Sequence, residues 1–243
     1  MTNYVLLNNV QHSNMKIINR YSREAGDNNA AVLTFPTEFM DIQREYPIFL
    51  RKDNDSNSFQ AVALLGIQKG ENLFLDESPG SEGSGWLGRY VPAVVARGPF
   101  IVGSQEGTDG DQSQMVFVDL DNVKVGEIEG APLFQPLGGN SPYLDYISNI
   151  LSTIHQGNEV ATAMYAAFES MNLIEPLTVN IDLKNGDKHQ LAGYYTISEE
   201  KLAGLDGMSL EKLNKAGFLQ GAFLILSSLS NLQKLIEIKN SRL

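Results

Sequence analysis

The chain has 243 residues, 42% hydrophobic and 9% aromatic, enough apolar material for one large packed core, and no apolar run reaches the ~20 residues a membrane-spanning helix needs. Its 29 acidic residues outweigh 18 Lys and Arg for a net charge of -11, so the long-range field repels phosphate backbones and anionic lipids, and neither nucleic acid nor a membrane is an expected partner. The absence of cysteine excludes disulfides, thiolate metal sites, iron–sulfur clusters and a cysteine nucleophile.

The N-terminal stretch carries one short apolar run at residues 5–7, with no basic segment and no small-residue cleavage site, so a cytoplasmic location is expected. After an extended start at 4–7, residues 22–29 read as a loop and 30–35 as a strand. Pro36, Thr37 and Glu38 suit a helix entry, with Phe39, Ile42 and Tyr46 spaced for one buried face and Pro47 closing it. Residues 48–51 and 59–67 form an expected hairpin around a loop of Asp, Asn and Ser. A short strand is expected at 73–75, then a Gly- and Ser-rich loop at 77–85. Residues 86–97 mix aromatic and small apolar side chains around Pro92, and strands at 100–102 and 115–120 flank a polar loop at 103–114.

From Ser141 the pattern becomes helical. Ser141 is an N-cap and Pro142 the first helical position; Leu144, Ile147, Leu151 and Ile154 form a stripe that Val160, Met164, Phe168 and Met171 resume beyond a bend or interruption at Gly157. Two alternating strands follow around Asn185-Gly186, a dipeptide that supplies the positive φ angles of tight hairpins. Ser198 and Ser209 read as caps of two short helices, and Gly217 precedes an amphipathic helix to about Lys239 with Phe218, Phe223 and Leu226 inward.

Hairpin-like loops separate the strands more often than helices do, which predicts an α+β fold: an antiparallel or mixed sheet covered by helices, with a helical C-terminal part. The whole chain, 1–243, is expected to form a single domain with a soft boundary near Gly138-Gly139.

The three histidines, His12, His155 and His189, lack the spacing that puts two ligands on one face, so no metal site and no cofactor are expected. Asp119-Leu120-Asp121 has the form of a cation-holding pair at a strand end, yet acidic residues entering a turn also bond their own backbone. Asp109-Gly110-Asp111 lacks the later positions of a calcium loop and reads as a solvated turn. No phosphate-binding glycine loop or nucleophile elbow is present. The remaining constellation is Glu71, Asn72, Trp86, Arg89, Tyr90 and Arg97, which has two readings: a concave pocket with an aromatic face and oxygen-fixing side chains, or core aromatics with arginines tying down loop carbonyls.

Several segments, in order, resemble the surface-layer-associated SapC family. They are Tyr46-Pro47-Ile48, Ala63-Leu64-Leu65-Gly66, Asn72-Leu73-Phe74 and the stretch from Trp86 through Tyr90-Val91-Pro92-Ala93 to Pro99-Phe100. Downstream, Gly130-Ala131-Pro132-Leu133-Phe134, Leu173-Ile174-Glu175-Pro176 and Leu191-Ala192-Gly193-Tyr194-Tyr195 extend the resemblance, and Leu7-Asn8 with His12 matches its opening, which brings His12 into the candidate ligand-binding set. Where the family usually has Arg-Arg-Tyr-Pro-Phe, this chain reads Ala96-Arg97-Gly98-Pro99-Phe100.

The resemblance implies a link to the bacterial surface layer, envelope or nutrient uptake, and an accessory role. A permease role is not expected of a chain without a spanning helix. A non-catalytic binding protein, acting on a small molecule or a protein partner connected with the envelope, is the leading expectation. The alternative is an enzyme modifying a peptide or sugar at a pocket around Glu71, Asn72, Trp86 and Arg89.

Overall fold

The structure, a computed structural model, describes residues 2–78, 83–106 and 112–243; part of the Gly- and Ser-rich loop, 79–82, and the Asp109-Gly110-Asp111 turn lie outside the described residues. Strands β1 (Tyr4–Leu6), β2 (Lys16–Ile17) and β3 (Ala31–Thr34) lead into the short helix α1 (Phe39–Ile42). Phe39, Ile42 and Tyr46 are fully buried, as their spacing predicts. The hairpin of β4 (Ile48–Lys52) and β5 (Phe59–Leu64) pairs Ile48 with Ala63 through Lys52 with Phe59.

The strand expected at 73–75 does not form a ladder, and Leu75 makes only an isolated bridge to Trp86. Its backbone groups are already engaged: the Asn72 side chain accepts the Phe74 N–H, and the Arg242 guanidinium donates to the Leu73 and Leu75 carbonyls. Helix α2 (Ala93–Ala96) follows Pro92, and strands β6 (Phe100–Glu106) and β7 (Gln112–Asp119) run further into the expected polar loop than their apolar cores indicate. β8 (Val125–Gly126) and β9 (Ala131–Pro132) both pair with β2.

Helix α3 (Pro142–Ser170) is continuous for 29 residues, opened by Ser141, which accepts the Leu144 N–H at 3.1 Å. Gly157 therefore does not interrupt it. A Cβ at Gly157 would lie 2.5 Å from the Phe35 Cβ and against the Thr37 hydroxyl, so the missing side chain lets α3 rest on the turn between β3 and α1. Thr37 completes the contact by donating to the Thr153 carbonyl at 2.8 Å.

The hairpin of β10 (Ile174–Asp182) and β11 (Lys188–Ile197) turns at Asn185-Gly186, but only Gly186 has a positive φ, 91°. Gly186 donates to the Leu183 carbonyl and Leu183 to that of Asp187, the pattern of a type I turn closed by a glycine bulge. Helices α4 (Glu199–Ala203), α5 (Gly207–Lys215), α6 (Phe218–Ser228) and α7 (Asn231–Ser241) complete the chain. Ser198 precedes α4 as expected, whereas α5 is capped by Asp206, whose carboxylate accepts the Ser209 N–H at 2.7 Å.

The single helix expected from Gly217 to Lys239 is divided between α6 and α7, and polar groups at the break bond to β4 and to the end of α1. Buried Ser228 accepts the Ile48 N–H at 2.8 Å, and the Asn231 amide donates to the Gln43 carbonyl at 2.7 Å. Gly221, Ala222 and Ile225 form the buried face, and half-buried Phe218 and Leu226 pack against the main core as expected, whereas Phe223 is exposed, contrary to the inward stripe expected.

The sheets are antiparallel, ordered β10-β11-β4-β5-β3, β1-β7-β6 and β8-β2-β9, so the fold is α+β with a helical C-terminal part. Among the described residues no helix is long and apolar enough to cross a membrane. A main hydrophobic cluster gathers Phe39, Tyr46, Phe49, Leu64, Phe168 and Ile225, and a second gathers Ile17, Phe100, Val118, Leu133 and Ile147. α3 feeds both, Ile147 and Leu151 entering one and Met164 and Phe168 the other. At about 1.5–3 kcal/mol for each fully buried large apolar side chain, its four anchors hold the two clusters on one rod.

Candidate functional site

The residues singled out in the sequence separate into a buried aromatic core, a C-terminal clasp, an N-terminal loop and an open cleft. Trp86 belongs to the core. Its ring meets Tyr21 edge-on at 5.5 Å and stacks on Phe74 at 6.3 Å, and its indole N–H donates to the Tyr46 hydroxyl at 3.0 Å. The Tyr46 hydroxyl in turn donates to the Tyr90 carbonyl. Burial drives the Tyr46 hydroxyl well above its ordinary titration range, so it acts as a neutral relay.

Two carboxylates that sequence reasoning passed over surround this core. Glu38, 1% exposed, accepts four donors: the Thr34 hydroxyl at 2.9 Å, the Phe35 N–H at 3.3 Å, the Tyr90 hydroxyl at 2.8 Å and the Ala93 N–H at 2.9 Å. Burial pushes its carboxyl above the usual range, outweighing the opposing pull of those donors. Glu45 accepts the Arg89 N–H at 2.8 Å. Gly88 is required here, since a Cβ would fall 2.7 Å from the Glu45 Oε2 and 2.9 Å from the Trp86 indole nitrogen. Arg89 thus joins the cluster through its backbone, with its side chain exposed.

Glu71 and Asn72 form the clasp. Glu71 pairs with Lys239 of α7 and accepts the Ile67 N–H at 2.9 Å; burial alone would raise its carboxyl, but Lys239 and the two backbone donors, Ile67 and Gln68, hold it below the usual range. Asn72 donates to the Asp27 carbonyl at 2.8 Å. Asp27 is itself paired at 2.9 Å with buried Lys124, whose ammonium sits 4.7 Å from the centre of the Tyr21 ring. His12 stands apart: it is 9% exposed, and its Nδ1 accepts the Asn8 N–H at 3.1 Å within its own loop. Asp119 accepts the N–H groups of Asn3 and Asp121, the turn reading of that acidic pair. Among the described residues no three His, Asp or Glu side chains are grouped to hold a metal ion.

Arg97 lines a cleft of about 400 Å³ that lies between the edge strands of two sheets, β3 and β6, with α2 and α3 behind it. Leu33, Phe35, Val94, Leu151 and Ile154 give it apolar walls. Arg97 adds a cationic group and His155 an imidazole; Arg97 spends one donor on the Phe100 carbonyl at 2.7 Å, and His155 lies 3.5 Å from Glu159. A guanidinium stays charged and carries five donors, so this one retains capacity for an oxygen-bearing group. The volume falls within the ~300–1,000 Å³ of small-molecule sites.

The SapC family model matches residues 7–235 of the chain. The chain belongs to the SapC family. That span contains the aromatic core, the Glu38 and Glu45 cluster and the Arg97 cleft, so this SapC protein carries all three inside the region its family defines. No curated protein and no solved structure matches it.

Proposed function

We propose that this SapC protein is a non-catalytic binding protein of the cytoplasm, serving the surface layer, envelope or nutrient-uptake system, and that its ligand is an amphiphilic carboxylate held in the Arg97 cleft. The observation that carries the reading is the pairing of an apolar trough with a fixed guanidinium at its edge. An apolar chain lies along Leu33, Leu151 and Ile154, and its carboxylate takes the remaining Arg97 donors as charge-assisted hydrogen bonds. The polar groups of the Trp86 core support binding over catalysis: Glu38, Glu45, Tyr46 and Tyr90 are committed to one another and to backbone.

Thermal unfolding with decanoate and with decanol tests this. A ligand at about 100 times its Kd stabilises by about 2.7 kcal/mol, which registers as a higher Tm. Decanoate raises the Tm more than decanol, and Ile154→Trp, which fills the trough, removes the effect. Equal responses to acid and alcohol, or an unchanged response in Ile154→Trp, count against the reading.

A further inference from the structure

On the side away from β4, the start of β5 has no strand beside it, and the reason is written in the register. β3 pairs Thr34 with Ala61 and stops there. Hydrogen bonds from Asp53 to Ser58 and from Leu64 to Pro47 show which residues of β5 face β4; Phe59 falls between them, so its N–H and C=O face the side that β3 has vacated. The next position that would meet Phe59 is Pro36, which has no N–H to give, and the chain has already turned toward α1.

A cavity of about 220 Å³ occupies this vacated edge, between Phe59, Gln60 and Ala61 on one side and α3 on the other. Ala161, Thr162, Tyr165 and Glu169 line it from one stripe of the helix. Tyr165 is 4% exposed, and its hydroxyl has no hydrogen-bond partner; the Ala61 backbone approaches it without reaching hydrogen-bond geometry. A buried hydroxyl left unpaired is destabilising, a cost that a ligand's polar group removes.

We propose that this edge binds a short extended peptide segment carrying a basic side chain. A peptide residue opposite Phe59 supplies the N–H and C=O that Pro36 withholds, as in strand addition to an open sheet edge. The Tyr165 hydroxyl meets the adjoining peptide group, and Glu169, the one charged side chain in the lining, faces the basic residue. The volume is below that of ordinary small-molecule pockets, which suits a piece of a longer chain. This site adjoins the Arg97 cleft, sharing Leu33, Phe35 and Asn158 with it, and does not depend on the carboxylate reading.

The test is an NMR titration of the full chain with acetyl-leucyl-threonyl-lysine amide up to ~10 mM, enough to saturate a site with a Kd of about 1 mM. Saturable shifts at Phe59, Gln60 and Tyr165 are expected. Methylating the threonyl amide nitrogen of the peptide removes the N–H offered to Phe59 and weakens binding about tenfold, Tyr165→Phe weakens it about fivefold, and a glutamyl residue in place of lysyl weakens it through Glu169. Equal binding of the methylated peptide overturns the proposal, and because that peptide leaves the protein unaltered the result stands whatever Tyr165→Phe does to the fold. Absence of saturation, or self-association of the chain through the same edge, overturns it as well. Ile154→Trp blocks the cleft alone, so a lost decanoate response beside an intact peptide response separates the two readings.

Discussion

The indole N–H of Trp86 donates to the Tyr46 hydroxyl at 3.0 Å, and that hydroxyl donates its own hydrogen bond to the carbonyl of Tyr90. Two segments some forty residues apart in sequence are thereby joined through a single oxygen, at a point where water does not replace a lost partner: Tyr46 is fully buried and Trp86 is 8% exposed. The arrangement makes the central block a structural fastening.

Tyr46→Phe keeps the ring and its edge-on contact with Phe74 at 4.6 Å, yet strands the Trp86 N–H and the Tyr90 carbonyl. Each orphaned buried group costs about 1–3 kcal/mol, so a total loss of about 2–4 kcal/mol is expected in urea unfolding. The Trp86 fluorescence of the folded state should change as its indole loses a partner. A loss under about 0.5 kcal/mol, the range of a surface substitution, refutes the fastening role.

Glu38 and Glu71 predict opposite pH dependences. In Glu38 the folded carboxyl titrates above the unfolded one, so between about pH 4.3 and its raised value the folded state holds the extra proton and stability falls as pH rises. In Glu71 the folded carboxyl titrates lower; its contribution is present above the ordinary glutamate value and is lost as pH falls through the folded one. One group supplies a slope of at most ~1.4 kcal/mol per pH unit. Unfolding free energies measured from about pH 3 to about pH 8 should lose the neutral-side slope in Glu38→Gln and the acid-side slope in Glu71→Gln. A slope that survives both replacements assigns the pH dependence elsewhere.

What the sequence made legible follows the range over which each feature is decided. The β4–β5 and β10–β11 hairpins, the Ser141 cap and the buried face of Phe39, Ile42 and Tyr46 rest on neighbours within a few residues, and all are present. Glu38 was legible only as a residue of a helix entry, because its partners Tyr90 and Ala93 lie 52 and 55 positions away. Arg97 was named without its cleft, since the walls come from β3, β6 and α3. Glu71 and Asn72 stood next to Trp86 in the sequence pattern but pair with Lys239 of α7 and with Asp27, partners 168 and 45 positions away.

Gly157 tests how far helix propensity yields to packing. In an isolated helix, Gly→Ala gains about 1 kcal/mol, because alanine loses less backbone freedom on folding. At this position the new methyl group would meet the Phe35 side chain and the Thr37 hydroxyl, both anchored by the β3–α1 turn and, for Thr37, by its bond to the Thr153 carbonyl. Overpacking of this kind costs about 1–3 kcal/mol, so Gly157→Ala is expected to be neutral or net destabilising by up to about 2 kcal/mol. The shift should also move Phe35, which lines both the Arg97 cleft and the cavity beside Tyr165, so decanoate and peptide responses should change together in this variant. A stabilised Gly157→Ala protein with both responses intact would mean that α3 is free to stand off from the turn, and that the glycine serves no close approach.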